Sequence, residues 1–156
     1  MTKLDGIRII EIPKFKAISS GFGKPDNIFG TFCDRLDMKL VKSVPPCDAP
    51  DLAWFEGDEA IWIWAANDWV TTADAAPHEL MEFEGGIYAV GVADEWEPAD
   101  CGAVYHHIAN WIENNEHFEI DDRPGHRVMF HRIGCGEVQK ALGMAQQEIF
   151  VPVKIR

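Results

Sequence analysis

The run Glu148-Ile149-Phe150-Val151-Pro152-Val153 sets a carboxylate and an aromatic ring on the same side of an alternating segment. Successive side chains of a strand point to opposite faces, so Ile149, Val151, Val153 and Ile155 share one face. Glu148, Phe150, Pro152 and Lys154 share the other. Glu59–Ala65 repeats the pattern, with Ile61 and Ile63 opposed to Trp62 and Trp64. If the aliphatic faces meet helices, the remaining faces carry Trp62, Trp64, Phe150 and Glu148. Ring faces attract positive charge, and a partly desolvated carboxylate adds a directional ion pair, so this set predicts a groove for a flat or lipophilic cation. Tyr88, on a strand with Val90 and Val92, and Tyr105, on a helix, bring hydroxyls within reach of it. The expected ligand-binding residues are therefore Trp62, Trp64, Tyr88, Tyr105, Phe150 and Glu148. The same groups suit hydrolysis: Glu148 would orient or deprotonate a water, while Tyr88 or Tyr105 donates to the oxygen on which charge develops. A structural reading stays open beside both, with the tryptophans in the core and Glu148 a rim carboxylate paired with an Arg.

Other chemistry finds little support. His106 and His107 are adjacent on a helix and point about 100° apart, which is wrong for a shared ligand sphere. His126 and His131 fall on opposite faces of their strand. The cysteines Cys33, Cys47, Cys101 and Cys135 form no CxxC pair, a spacing that predicts reduced, mostly buried thiols. No nucleophile elbow, P-loop or dinucleotide fingerprint occurs, so neither metal nor cofactor is expected.

The elements that must position these residues come in the same order twice: strand, helix, strand, strand. In the first half a strand over Ile7–Ser20 ends at Gly21, and a helix from Pro25 carries Phe29, Phe32, Cys33, Leu36 and Leu40 at helical spacing. Pro45-Pro46 stops it. Short strands follow near Leu52–Phe55 and Glu59–Ala65 around the Gly57-Asp58 turn. Asn67–His78 reads as a connection, closed by a strand near Leu80–Phe83. The second half has a strand over Ile87–Val92, and a helix from Pro98 with Cys101, Val104, Tyr105, Ile108, Trp111 and Ile112 on one face and Asn114-Asn115 at its end. Gly85-Gly86 precedes that strand and predicts a turn or bulge. The Arg123-Pro124-Gly125 turn, a strand in His126–Ile133 and a last strand in Glu148–Arg156 complete the half. The predicted class is α+β, with duplicated βαββ halves, about 1–78 and 79–156, in a single domain. An antiparallel sheet has helices packed on one face. If an approximate two-fold relates the halves, the fourth elements of each face each other or flank one central groove.

The 156 residues carry 14 Lys and Arg against 26 Asp and Glu, and residues 79–122 hold twelve acids with no Lys or Arg. Such a surface repels phosphate and draws in cations, so direct nucleic acid binding and anionic membranes are excluded as expected partners. No secretory signal is visible in Met1-Thr2-Lys3-Leu4-Asp5 and no stretch approaches the roughly 20 apolar residues of a membrane span, so a cytoplasmic protein is expected.

Gly85-Gly86-Ile87-Tyr88-Ala89-Val90, Val104-Tyr105 through Trp111-Ile112, Arg123-Pro124-Gly125-His126-Arg127 and Glu148-Ile149-Phe150-Val151-Pro152-Val153 together resemble the GyrI-like family. Those are small-molecule-binding domains, also found as effector-binding domains of multidrug-responsive regulators. The resemblance covers residues 84–156 by motif and 7–66 by order of elements. It implies the duplicated fold, aromatic walls and a carboxylate at Glu148 that meets cationic or polar ligands. Some members hydrolyse strained cyclopropanes of DNA-alkylating natural products. No DNA-binding module precedes the domain in this sequence, so a regulatory role would need a partner chain. The leading expectation is a stand-alone binding protein for lipophilic, aromatic or cationic small molecules. The alternative is a hydrolase of electrophilic cyclopropanes. A third is an acidic module that docks a protein partner and inhibits a DNA-handling enzyme.

Overall fold

The computed structural model describes residues 6–42, 51–133 and 136–156; Cys47, Cys135 and the Pro45-Pro46 stop lie outside them. The single strand predicted over Ile7–Ser20 is two strands, β1 (Arg8–Ile12) and β2 (Phe15–Ser19). Pro13 separates them, since proline has no N–H to give a ladder. Helix α1 (Pro25–Arg35) opens on Pro25 with Asp26 in its first turn, where an acid favours the helix dipole. It stops before the predicted Leu40. Asp37 caps a separate 3-10 turn, Met38–Leu40, accepting the Lys39 N–H at 3.0 Å.

Strands β3 (Asp51–Glu56) and β4 (Glu59–Ala65) form the predicted hairpin. The segment read as a bare connection holds a short helix, α2 (Thr72–Ala75), fixed by reciprocal capping between Thr71 and Asp74. Four residues are too few to show a helical period. Next come β5 (Glu79–Phe83), β6 (Gly86–Asp94) and α3 (Pro98–Glu113), which ends at Asn114 as expected. The chain closes with β7 (Phe118–Ile120), β8 (Met129–Arg132), α4 (Gly136–Leu142) and β9 (Gln146–Ile155); β7 and α4 have no counterpart in the sequence reading.

The chain divides into a middle unit, Ile12–Gly85, and a terminal unit, Met1–Glu11 with Gly86–Arg156. Strand order in the middle unit is β3-β4-β2-β5, and in the terminal unit β8-β9-β6-β1, with β7 also pairing β9. The two orders match element for element, and β2 with β4 and β5, β3 with β4, and β9 with β6, β7 and β8 all pair antiparallel. The class is α+β, as predicted. The edge strands are exchanged: β1 precedes β2 in sequence yet lies beside β6, and β5 precedes β6 yet pairs with β2.

Helix α3 packs on the terminal sheet through Ile108 and Ile112, with Cys101, Val104, Tyr105 and Trp111 around them, against Ala89, Ala93, Ile149, Val151 and Val153. A glycine eases the close approach. A Cβ on Gly91 would stand 3.1 Å from both Ile108 Cδ1 and Val104 Cγ1. In the middle unit, α1 brings Phe32 and Leu36 onto Ile18, Val70 and Ala75. Gly85, at φ +79°, passes so near β1 that a Cβ would lie 2.5 Å from the Ile12 carbonyl oxygen. Among the described residues, no helix is long and apolar enough to cross a membrane.

Candidate functional site

In the terminal unit, Ile149, Val151 and Val153 face α3, which leaves Glu148, Phe150 and Pro152 on the other side of β9. Register carries that face onto the neighbouring strands. Val92, Val90 and Tyr88 of β6 stand opposite Glu148, Phe150 and Pro152, and His131 and Met129 of β8 stand opposite Glu148 and Phe150. The face therefore has a polar level at Glu148 and His131, an apolar middle, and Tyr88 about 13 Å along the strand from Glu148, at a rise of about 3.3 Å per residue. Tyr88 and Phe150 meet edge to face at 6.3 Å between ring centroids. Both are buried, as are Met129 and Glu148.

A carboxylate only 4% exposed must be compensated, and Arg8 does it: the guanidinium pairs with Glu148 Oε2. Arg8 reaches this face because Ile7 and Ile9 on either side of it pack into the α3 core, turning the residue between them to the opposite side. Its own side chain is 45% exposed. The ion pair with an Arg follows the structural reading of the sequence, but Glu148 is buried and not at a rim.

At the Tyr88 end, Asp121 donates its N–H to the Pro152 carbonyl and is clamped by Arg123, Nε to Oδ1 at 2.8 Å and Nη2 to Oδ2 at 2.6 Å. These side-chain hydrogen bonds, joined by the Arg123 N–H and the nearby His126, hold the Asp121 pKa at about 2 against the opposing effect of burial. His126 Nε2 lies 3.7 Å from Asp121 Oδ2. Burial, and secondarily the Asp121 charge, pushes the Tyr88 hydroxyl up to about 12, so it stays protonated and available as a donor.

Tyr105 sits on the α3 side of the terminal sheet, packed into the helix core, and so does not share the Glu148 face. The tryptophans of β4 also differ from the expected placement. Trp62 rings lie 5.7 Å from Phe29 and 5.9 Å from Phe32 of α1, and Trp64 packs into the same core, so the aromatic face of β4 is the one that meets the helix. The Trp62 indole donates to Asp51 Oδ2 at 2.7 Å. Ile61 and Ile63 face away from α1 beside Trp54 and Leu52, their register partners. Trp54, which the sequence did not single out, is the tryptophan on that side, and its buried indole N–H has no hydrogen-bond partner among the described residues. Burial drives the Cys33 thiol up to about 11, which makes it a poor nucleophile. Among the described residues no group of three or more His, Cys, Asp or Glu is arranged to hold a metal ion.

No family profile and no curated protein matches this sequence. Solved structures do match in fold. A hydrolase from Listeria innocua aligns over 95% of this chain and 91% of its own, with 13% identity and a TM-score of 0.63. SAV2435 bound to tetraphenylphosphonium aligns over 95% and 93%, with 14% identity and a TM-score of 0.54. A Staphylococcus aureus MU50 protein described as acting in bacterial transcription regulation aligns over 95% and 97%, with 10% identity and a TM-score of 0.55. At these identities the likeness is one of fold.

Arg8, His131, Asp121 and His126 are polar members of this face and its margin that the sequence pattern did not assign to the site. Arg8 had a signal, since Ile7-Arg8-Ile9 alternates as clearly as β9 does. Asp121 had none: its burial depends on β7 docking beside β9, and a three-residue strand has no period.

Proposed function

We propose that this protein binds lipophilic small molecules that carry positive charge, in the manner of the GyrI-like binding domains, on the terminal-unit face of Glu148, Phe150 and Tyr88. The observation that carries the reading is a buried carboxylate, paired with Arg8 and level with His131, that shares the sheet face turned away from its helix with Val92, Phe150 and Tyr88. An anionic oxygen in apolar surroundings favours a cation that brings its own apolar cover, because such a cation gives up little hydration on entry. SAV2435, a fold neighbour, was solved with tetraphenylphosphonium, a ligand of this kind. Residues 1–156 would act as one binding domain. The free thiols of Cys33 and Cys101 fit a reducing, cytoplasmic setting.

Titration with tetraphenylphosphonium, followed by calorimetry, tests the reading. The wild type is expected to bind, and Glu148→Gln to bind at least about tenfold more weakly, a difference of about 1.4 kcal/mol. Equal affinity of the two would remove Glu148 from the site.

Hydrolysis has one observation in its favour, the protonated Tyr88 hydroxyl as a donor to developing charge. Glu148 and Tyr88, however, lie two register pairs apart on the same face, a separation suited to one extended ligand and not to one reacting atom. Incubating an electrophilic cyclopropane with excess protein separates the readings: binding predicts recovery of the unaltered compound by mass spectrometry, and turnover predicts a ring-opened product.

A further inference from the structure

We infer that Arg8 is a tethered cation which occupies the Glu148 carboxylate until a ligand displaces it, and which thereby sets the kind of cation the site admits. The inference rests on the binding reading above. Glu148 is 4% exposed and its Oε2 is in contact with the Arg8 guanidinium, so an incoming cation competes with Arg8 for that oxygen. Arg8 is suited to leave. It lies on β1, the edge strand of the terminal sheet, its side chain is 45% exposed, and a long flexible stem lets the head group move to water without moving the backbone.

Exchange of one cation for another at a buried carboxylate is decided by the difference in their hydration and in the apolar surface each covers. Arg8 returns to water and regains its hydration, while the ligand surrenders its own. A small alkylammonium ion is strongly hydrated at its head group and brings little apolar surface, so it gains nothing over the tethered guanidinium, which is itself the more weakly hydrated group. A large delocalised cation loses little hydration and covers the exposed Val92, the register partner of Glu148, as it enters. Arg8 thus works as a threshold: it excludes amines and admits lipophilic cations.

Calorimetric titration of the full chain with tetraphenylphosphonium and with n-butylammonium tests this, using the wild type, Arg8→Met and Arg8→Lys. Arg8→Met keeps an apolar stem and removes the competitor. It is expected to bind tetraphenylphosphonium at least about tenfold more tightly and to gain measurable affinity for n-butylammonium, which the wild type lacks. Arg8→Lys is expected to fall between the two. Equal or weaker binding of tetraphenylphosphonium by Arg8→Met, with the wild type binding it, overturns the threshold and leaves the binding reading standing. Absence of binding in all three proteins overturns both. Because Arg8→Met leaves a buried carboxylate without its partner, the same question is put to the unaltered protein by nitrogen-15 NMR. Saturating tetraphenylphosphonium is expected to move the Arg8 Nε–H resonance to the position of a solvent-exposed arginine; an unmoved resonance at saturation overturns the displacement.

Discussion

A carboxylate taken out of water persists only where a cation or hydrogen-bond donors stand against it, and the terminal unit does this twice, with Arg8 at Glu148 and Arg123 at Asp121. The two pairs differ in kind. Arg123 is two residues from Asp121, adds its own backbone N–H, and holds both carboxylate oxygens. Arg8 is 140 residues from Glu148 and meets it at Oε2. The first is a local clasp, the second a contact that exists only once β1 lies beside β6. The Asp121 clasp has a pH signature. Its pKa in the folded protein, about 2, is below the ordinary value of 3.8, so its contribution is complete above about pH 4 and is lost as pH falls through 2. That contribution is roughly 2 kcal/mol from the size of the shift. Urea unfolding of the wild type is expected to weaken across this window, and Asp121→Asn, less stable at neutral pH, is expected to show a correspondingly shallower loss. Parallel acid limbs for the two proteins would mean that Asp121 is not clasped.

Among the elements, β4 explains where sequence reasoning stopped. Its alternation is real: Trp62 and Trp64 lie on one face, Ile61 and Ile63 on the other. Both faces are apolar, however, and a period of two reports that the sides differ without reporting which side meets a helix. Phe29 and Phe32 of α1 decide it, because their rings pack against Trp62. On β9 the same rule, aliphatic side toward the helix, gives the observed orientation, since α3 presents Ile108 and Ile112. Trp62→Ala is therefore expected to destabilise the protein by about 3 to 5 kcal/mol, less whatever part of the cavity collapses, because it opens the interface with α1 and removes the indole hydrogen bond to Asp51. Chemical denaturation checks this. A loss under about 1 kcal/mol would indicate that Trp62 is a surface ring.

For the whole chain, a net charge of −12 describes the surface more than the proposed site. The Glu148 pair is buried, and salt screens buried pairs far less than exposed ones. Tetraphenylphosphonium affinity is accordingly expected to fall by less than about threefold between roughly 0.05 and 0.5 M sodium chloride, whereas a basic protein docking on the acids of residues 79–122 would lose affinity steeply. A steep salt dependence for the small cation would transfer the binding to the acidic surface. The α+β class, the repeated strand-helix-strand-strand order, and the isolation of Glu148 and Phe150 on one face of β9 were determined by sequence alone, because each follows from local periodicity and from the φ preferences of proline and glycine. The tertiary structure decided the rest: that β1 and β5 exchange places at the sheet edges, that the β4 tryptophans serve a helix, and that Arg8 meets Glu148. Those outcomes depend on which apolar surfaces find each other across the chain, a competition between faces of similar hydrophobicity that no local pattern resolves.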